Sequence, residues 1–440
     1  MSGSKWQTGG GLFREFQAIG RASLLADIQD SHSGNMAVRR TNENGQDEIV
    51  ITATGSQKGD LEPSQICVLS ATETDYGYYK ASSETDVHAR ILGLPGVRAS
   101  MHAHLKDLIL ATLDDAPKPS RPPDFVPVDP LARRHLGASI PVDWFAVPSG
   151  SPELARVIPE RLADHPLTII FGHGAMAKGR TLREAFFRLC VGNYAGAVVR
   201  SLEKLRVDVA AVRRRIAADP DRAFAGPPPA YDVDGDDRSD FRDEEEILRE
   251  FVKAGHRLFE SRLSPFHTGS MSIRGVATML YAPKASMPRD VGGPLVCVPL
   301  AASATDDAET ALHKAIYAAS DFQSVMHCHI AEAEACAHFA YPGEEGPADR
   351  IVPIDAEGSF LYLVIPVLPP DAPAASLIRA LHDYKVAVVR GGGVWAVGAQ
   401  SLSEVLHHPS SVREICLYRI GAVERGLDLR RMEPRKAIRW

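Results

Sequence analysis

Apolar residues recur every three to four positions over residues 13–27 and again over 246–262. That spacing predicts an amphipathic helix at the start of each half of the chain. Short β-like stretches follow the first helix at 35–40, 48–53 and 66–69. A helix is expected over 84–92 and a strand over 97–105. A long irregular stretch then leads to a continuous apolar strand at 167–171 and a helix over 181–207. The second half gives the same order and ends in a strand over 385–390. Strands and helices mix without strict βαβ alternation. The expected fold class is therefore α/β, with a mixed central sheet flanked by helices in each half.

The shared order is a repeat. REFQAIGRASLLADIQDSHSGNMAVR, from Arg14, aligns without a gap to REFVKAGHRLFESRLSPFHTGSMSIR, from Arg249. Gly20 and Gly255 match, as do His32 and His267, Met36 and Met271, and Arg39 and Arg274. Glu84-x-x-x-His88 aligns with Glu309-x-x-x-His313, MHAHL with MHCHI, and FGHGAMAKG with RGGGVWAVG. The domains read this way are 10–216 and 246–440. Between them, 217–245 is rich in Pro and Asp and poor in apolar residues, as an exposed linker would be.

Composition narrows the function classes. The net charge is -7, with 45% hydrophobic and 24% charged residues. No bulk charge attracts nucleic acid or an anionic membrane, so any anion must be bound locally. The start of the chain has no apolar signal core, and the longest apolar stretch, 360–368, is too short to span a bilayer. A soluble, cytoplasmic protein is expected. The six cysteines are scattered without a C-x-x-C pair, so neither disulfides nor a cysteine zinc site is indicated.

The chemistry concentrates in the first copy. His102-x-His104 lies in a strand-like setting, where residues i and i+2 face one side. His173 stands in Gly-His-Gly at a strand's end. Three neutral histidines with one open position form a catalytic zinc arrangement. Zn2+ is the default ion. Histidine count alone leaves Mn2+, Fe2+ and Co2+ open. Glu84 follows Ser82 and Ser83 at a helix start. It can complete a helix N-terminal box, act as general base beside the metal, or do both. The turns Ser33-Gly34-Asn35 and Thr54-Gly55, with Ser82 and Ser83, offer hydroxyl, amide and backbone N–H donors for an anion.

Together SGNMAVR, ITATG, SSETDVH, HAH and GHG resemble the class II aldolase/adducin family. The resemblance covers nearly all of the first copy and, more weakly, the second. It implies two tandem class II aldolase-like domains. It implies that His102, His104 and His173 hold a divalent ion, that Glu84 is the catalytic acid/base, and that Asn35, Thr54, Gly55, Ser82 and Ser83 cradle a substrate phosphate. The implied reaction cleaves or forms a carbon–carbon bond in a phosphorylated ketose through a metal-stabilised enediolate. Related epimerases tend to carry Asp at the place of Glu84, whereas related dehydratases also carry Glu. The alternatives are a dehydratase, epimerase or decarboxylase on the same scaffold, or a non-catalytic scaffold as in adducin. The implied partner is a small phosphorylated sugar-like substrate. The implied assembly is a homodimer forming a four-lobed ring, with a proton-donating tyrosine that the sequence does not place.

The second copy departs where chemistry would occur. Ser270 replaces Asn35, Asp307-Ala308 replaces Ser82-Ser83, and Tyr281-Ala282-Pro283 falls at the place of Thr54-Gly55. Gly392 stands where His173 stands, and glycine has no side chain to ligate. One reading is a degenerate partner. The other is a two-histidine, one-carboxylate site built from His327, His329 and Glu309. His32 and His267 read as structural.

Overall fold

A computed structural model describes residues 10–30, 32–70, 74–75, 80–115, 121–217, 241, 244–265, 268–282 and 295–433. Two compact units emerge. One combines Met1–Pro127 with Leu131–Ala197, the other Val128–Pro130 with Val198–Trp440. His267, Pro283 and most of the stretch read as a linker lie outside the described residues.

The first copy opens with α1 (Gly10–Leu25), followed by β1 (Asn35–Thr41), β2 (Asp47–Thr52), β3 (Ile66–Ser70) and β4 (Thr74–Asp75). Then come α2 (Thr85–Leu92), β5 (Ala99–Ala103), α3 (Lys106–Thr112), α4 (Pro130–Leu136), β6 (Val142–Asp143) and α5 (Pro152–Asp164). β7 (Leu167–Ile170), β8 (Gly174–Gly179) and α6 (Leu182–Lys204) complete it. The strands form one sheet in the order β4-β3-β2-β1-β5-β8-β7-β6. Its pairs are antiparallel except for β6 with β7. The sheet is mixed, as the patterning predicts.

The stretch that reads as irregular contains three helices and an edge strand. α5 shows why they are hard to see. Its signals are local: Ser151 caps it by accepting from the Leu154 N–H at 3.2 Å, with Pro152 at the helix start. Yet Pro159 sits inside it and masks the helical pattern. Leu154, Ala155, Ile158 and Leu162 line its buried face. That face and Val87, Ile91 and Leu92 of α2 close over Ala37, Ile51, Ile170 and Met176 of the sheet. Each fully buried Leu or Ile contributes about 1.5–3 kcal/mol. This layer fixes α2, and with it Glu84, against the sheet.

α7 (Val209–Ala217) precedes the second copy. There α8 (Glu244–Glu260), β9 (Ser270–Arg274), β10 (Thr278–Ala282), β11 (Val296–Pro299), α9 (Ala308–Ala318) and β12 (Ser324–Cys328) are followed by α10 (Ala331–Ala337), β13 (Arg350–Ile351) and α11 (Ala356–Leu361). β14 (Ile365–Leu368), α12 (Ala374–Tyr384), β15 (Val386–Val389), β16 (Gly393–Gly398) and α13 (Leu402–Glu424) end it. The sheet order is β11-β10-β9-β12-β16-β15-β14-β13. Apart from β4 and β13, the two sheets run in the same order. In both, the parallel pair joins the strand before the β7–β8 or β15–β16 turn to its outer neighbour. No helix among the described residues is long and apolar enough to cross a membrane.

Candidate metal centre

β5 places Ser100 and His102 on one face of the sheet, because alternate strand residues share a side. His104 follows one residue past the strand's end. His173 occupies the turn between β7 and β8. Since β8 pairs with β5, with Met176 opposite His102, the turn comes alongside both histidines. Gly174 allows this approach. A Cβ there would lie 2.6 Å from the Ala103 carbonyl oxygen and 2.7 Å from His102 Cε1.

The three rings converge. Their centroids lie 5.0 Å (His102–His104), 4.8 Å (His102–His173) and 4.8 Å (His104–His173) apart. One ligating atom of each falls within 4.8 Å of the others. Backbone carbonyls orient two of the rings. His102 Nδ1 donates to the Ala175 oxygen at 3.0 Å, and His173 Nδ1 to the Pro148 oxygen at 2.9 Å. A carbonyl only accepts, so these protons sit on Nδ1 and Nε2 keeps its lone pair. His102 Nε2 is buried without a hydrogen-bond partner. Burial, then His173, pushes His102 down to about 3. Burial, then the other two histidines, pushes His104 down to about 4. Both are neutral near pH 7, the state a metal requires. A bare buried nitrogen among convergent imidazoles fits a divalent cation.

Glu84 is the N-cap residue of α2, but its side chain makes no cap hydrogen bond. Ser82 Oγ accepts from the Glu84 N–H instead, at 3.3 Å. Of the two roles the sequence allows Glu84, the side chain does not take the one in a helix N-terminal box, because the carboxylate turns inward. Its Oε2 accepts from Asn35 Nδ2 at 2.8 Å and lies 3.9 Å from His102 Nε2. Its Oε1 is buried and has no hydrogen-bond partner among the described residues. Asn35 Oδ1 pairs with His88 Nε2, and His88 Nδ1 with Ser100 Oγ at 2.5 Å. Burial pushes His88 down to about 4, so this ring is also neutral.

Among the remaining sequence-flagged residues, Thr54 is tied to the segment that leads into Glu84. Thr54 Oγ1 donates to the Ala81 carbonyl at 2.9 Å, joining that turn to Ser82 and Ser83. Thr54, Gly55 and Ser83 are exposed, whereas Ser82 is buried. Gly55 holds φ at 70°, with nothing within 4 Å of a Cβ. Its conformation, not crowding, calls for glycine. The amide of Asn35 is engaged at both ends, by Glu84 and His88. The Ser33 N–H goes to Asp30 at 2.7 Å. The His32 ring meets Gln57 at 2.8 Å and is not among the converging ligand atoms.

Sequence reading missed Lys58, His88 and Ser100 as parts of this centre. Lys58 is buried, and its ammonium donates to the carbonyls of His32 at 3.1 Å and Ser56 at 2.8 Å. It ties together the turns that precede Asn35 and follow Gly55. Burial pushes it down to about 8, against the pull of Asp30. Nothing periodic in ATGSQKGD marks it. His88 was legible in principle, one helical turn after Glu84. Ser100 was legible as the strand neighbour of His102.

In the second copy the corresponding space is closed by internal bonds. His327 Nδ1 meets Glu309 Oε1 at 2.7 Å, and His327 Nε2 meets the Gly392 carbonyl at 2.8 Å. Trp395 stacks on the same ring at 4.3 Å and 10°. Both ring nitrogens are engaged, unlike those of His102. Asp307 caps α9 by accepting from the Thr310 N–H at 2.6 Å.

The model of the class II aldolase and adducin N-terminal domain matches residues 14–198 and 249–419. No curated protein matches the chain. Similar solved structures include L-fuculose-1-phosphate aldolase from Thermus thermophilus, at 23% identity over 45% of this chain and 96% of that one, with a TM-score of 0.38. YgbL from Escherichia coli, a putative aldolase/epimerase/decarboxylase, is 20% identical over 46% of this chain and 98% of its own, with a TM-score of 0.39. A sugar-phosphate aldolase from Thermotoga maritima is 22% identical over 45% and 97%, also with a TM-score of 0.39. With both halves of the sequence matched by one domain model, the chain belongs to the class II aldolase/adducin family and carries its domain twice.

Proposed function

We propose that the first copy is the active site of a divalent-metal-dependent aldolase acting on a phosphorylated ketose. The observation that carries this reading is the meeting of three imidazoles with a buried carboxylate whose Oε1 has no hydrogen-bond partner among the described residues. When bound by His102, His104 and His173, a divalent ion, Zn2+ by default, supplies Lewis acidity toward the ketose carbonyl. Glu84 takes the proton from the hydroxyl on the carbon that becomes the aldehyde. The carbon–carbon bond breaks, its electron pair stays on the ketose-fragment carbon next to the carbonyl, and Glu84 delivers the proton to that ketose-fragment carbon. Gly55, Ser82 and Ser83 offer hydroxyl and backbone N–H donors for the phosphate. Thr54, which gives its own donors to Lys80 and Ala81, and Asn35, bonded to Glu84 and His88, would border that cradle. Burial of Glu84 limits competition from bulk water.

The test is a screen of phosphorylated ketoses with the metal-loaded protein, following aldehyde release, water loss, epimer formation and carbon dioxide together. Aldehyde release supports the reading. Any of the other products without aldehyde replaces it. Glu84→Gln should abolish cleavage while metal stays bound, and unchanged turnover would remove Glu84 from its role.

We infer that the second copy holds no metal and serves as the structural neighbour of the first. Support comes from Gly392 and from the engaged ring of His327. The assembly that suits a tandem chain of this family is a homodimer of four lobes. Sedimentation giving a strict monomer would refute it.

A further inference from the structure

We propose that His88 is a positioning residue for Glu84, holding one carboxylate oxygen through Asn35 so that the other is free beside the histidine triad. The inference rests on the reading of Glu84 as the proton carrier.

The hydrogen-bond directions follow from the chemistry of each group. An ionised carboxylate only accepts, so Asn35 donates to Glu84 Oε2 through Nδ2. The amide oxygen then faces His88 and must accept, which places the imidazole proton on Nε2. With the ring neutral, Nδ1 is bare and accepts from the Ser100 hydroxyl. The chain of donors therefore runs Ser100, His88, Asn35, Glu84. It starts on β5, two residues before His102, and ends at the carboxylate 3.9 Å from His102 Nε2. One strand thus sets both the ligand and the carboxylate. Every member of the chain is buried, so water does not substitute for a missing link.

The second copy repeats the device with different atoms. Ser272 Oγ meets His313 Nδ1 at 2.7 Å, His313 Nε2 meets Ser270 Oγ at 2.8 Å, and Ser270 Oγ donates to Glu309 Oε1 at 2.5 Å. The donors run the same way, although Ser270 replaces Asn35 and the starting hydroxyl, Ser272, which also meets Tyr317 at 2.8 Å, comes from β9 at the place of Ala37 rather than from β12. The carboxylate they hold makes a different contact, because Glu309 Oε1 also meets His327 Nδ1. In the first copy the corresponding ring is turned to Ala175, and Glu84 Oε1 is left unpaired. The chain fixes where the carboxylate sits in each copy, and the histidine beside it is turned differently.

The test uses the full-length Zn2+-loaded protein and dihydroxyacetone phosphate, the simplest phosphorylated ketose, with its carbon-bound hydrogen exchanging in D2O. His88→Leu should slow exchange at saturation about 100-fold, the size expected for a misplaced catalytic group. KM and the metal count should stay unchanged. His88→Gln, which keeps an N–H donor near the position of Nε2, should recover most of the rate. Ser100→Ala should lose rate in the same direction, and it decides the matter if His88→Leu does not fold. Wild-type rates in both His88→Leu and Ser100→Ala, or equal losses in His88→Leu and His88→Gln, would overturn the proposal. Crystal structures of wild type and the soluble variants give a readout independent of turnover. A Glu84 carboxylate still bonded to Asn35 in its original place would overturn it. Its departure would support it. Absence of exchange by the wild type would count against the ketose reading and leave the crystallographic result to decide the role of His88.

Discussion

His88 and Asn35 show how much a single buried polar group carries. Each is hydrogen-bonded at both ends, so neither incurs the cost of an unsatisfied buried group. The burial that makes His88 a neutral donor also couples folding to pH. Its folded value is about 4 against an ordinary value of 6.5. Below pH 6.5 the unfolded chain takes up a proton that the folded chain refuses. Stability is thus complete above pH 6.5 and falls as the pH drops toward 4, by about 3 kcal/mol for one such imidazole. His102 and His104 act in the same direction when metal is absent. Thermal melts of chelator-treated protein should show a lower midpoint at pH 5 than at pH 7, with a smaller fall in His88→Gln. A midpoint that does not move would contradict burial of neutral rings.

At the scale of elements, the centre depends on how closely β8 lies against β5. The two strands pair from Ala99 opposite Gly179 to Ala103 opposite Ala175, and the turn bearing His173 closes the end of that ladder. Gly174→Ala would place a methyl against the Ala103 carbonyl and the His102 ring. The turn must then move, and His173 with it. Metal affinity should weaken by about 10–100-fold, the range for disturbed ligand support, as measured by competition with a chromophoric chelator. Unchanged affinity would mean that the turn adjusts without carrying the ligand away. α2 matters in the same way, since its apolar face fixes where Glu84 begins the helix.

At the scale of the whole molecule, duplication has produced two sheets of matching order with different centres. The first has convergent imidazoles, with His102 Nε2 bare among the described residues. The second has Glu309, His327, Ser270 and the Gly392 carbonyl bonded among themselves. Metal analysis should therefore find one ion per chain. His104→Ala should take that count to zero, and His327→Ala should leave it at one. Two ions per wild-type chain would revive the site of His327, His329 and Glu309.

The sequence by itself determined the repeat, the mixed α/β class and the identity of the convergent histidines, because these are written in residue type, spacing and period. His102-x-His104 needs only strand alternation to be read, and Gly392 reports its missing side chain directly. It did not determine the helices between Leu105 and Leu167, where prolines interrupt the period, nor the partners of Glu84. The capping position of Glu84 was legible, but the inward turn of its carboxylate was not. That orientation depends on Asn35, His88 and Ser100, which come from β1, α2 and β5 and meet only when the sheet is assembled. The tertiary structure also decided which face of each imidazole is free. A hydrogen bond from Nδ1 to Ala175 leaves His102 Nε2 bare, whereas His327 has Nδ1 on Glu309 and Nε2 on the Gly392 carbonyl. That choice rests on contacts between residues far apart in the chain, and local spacing does not encode it.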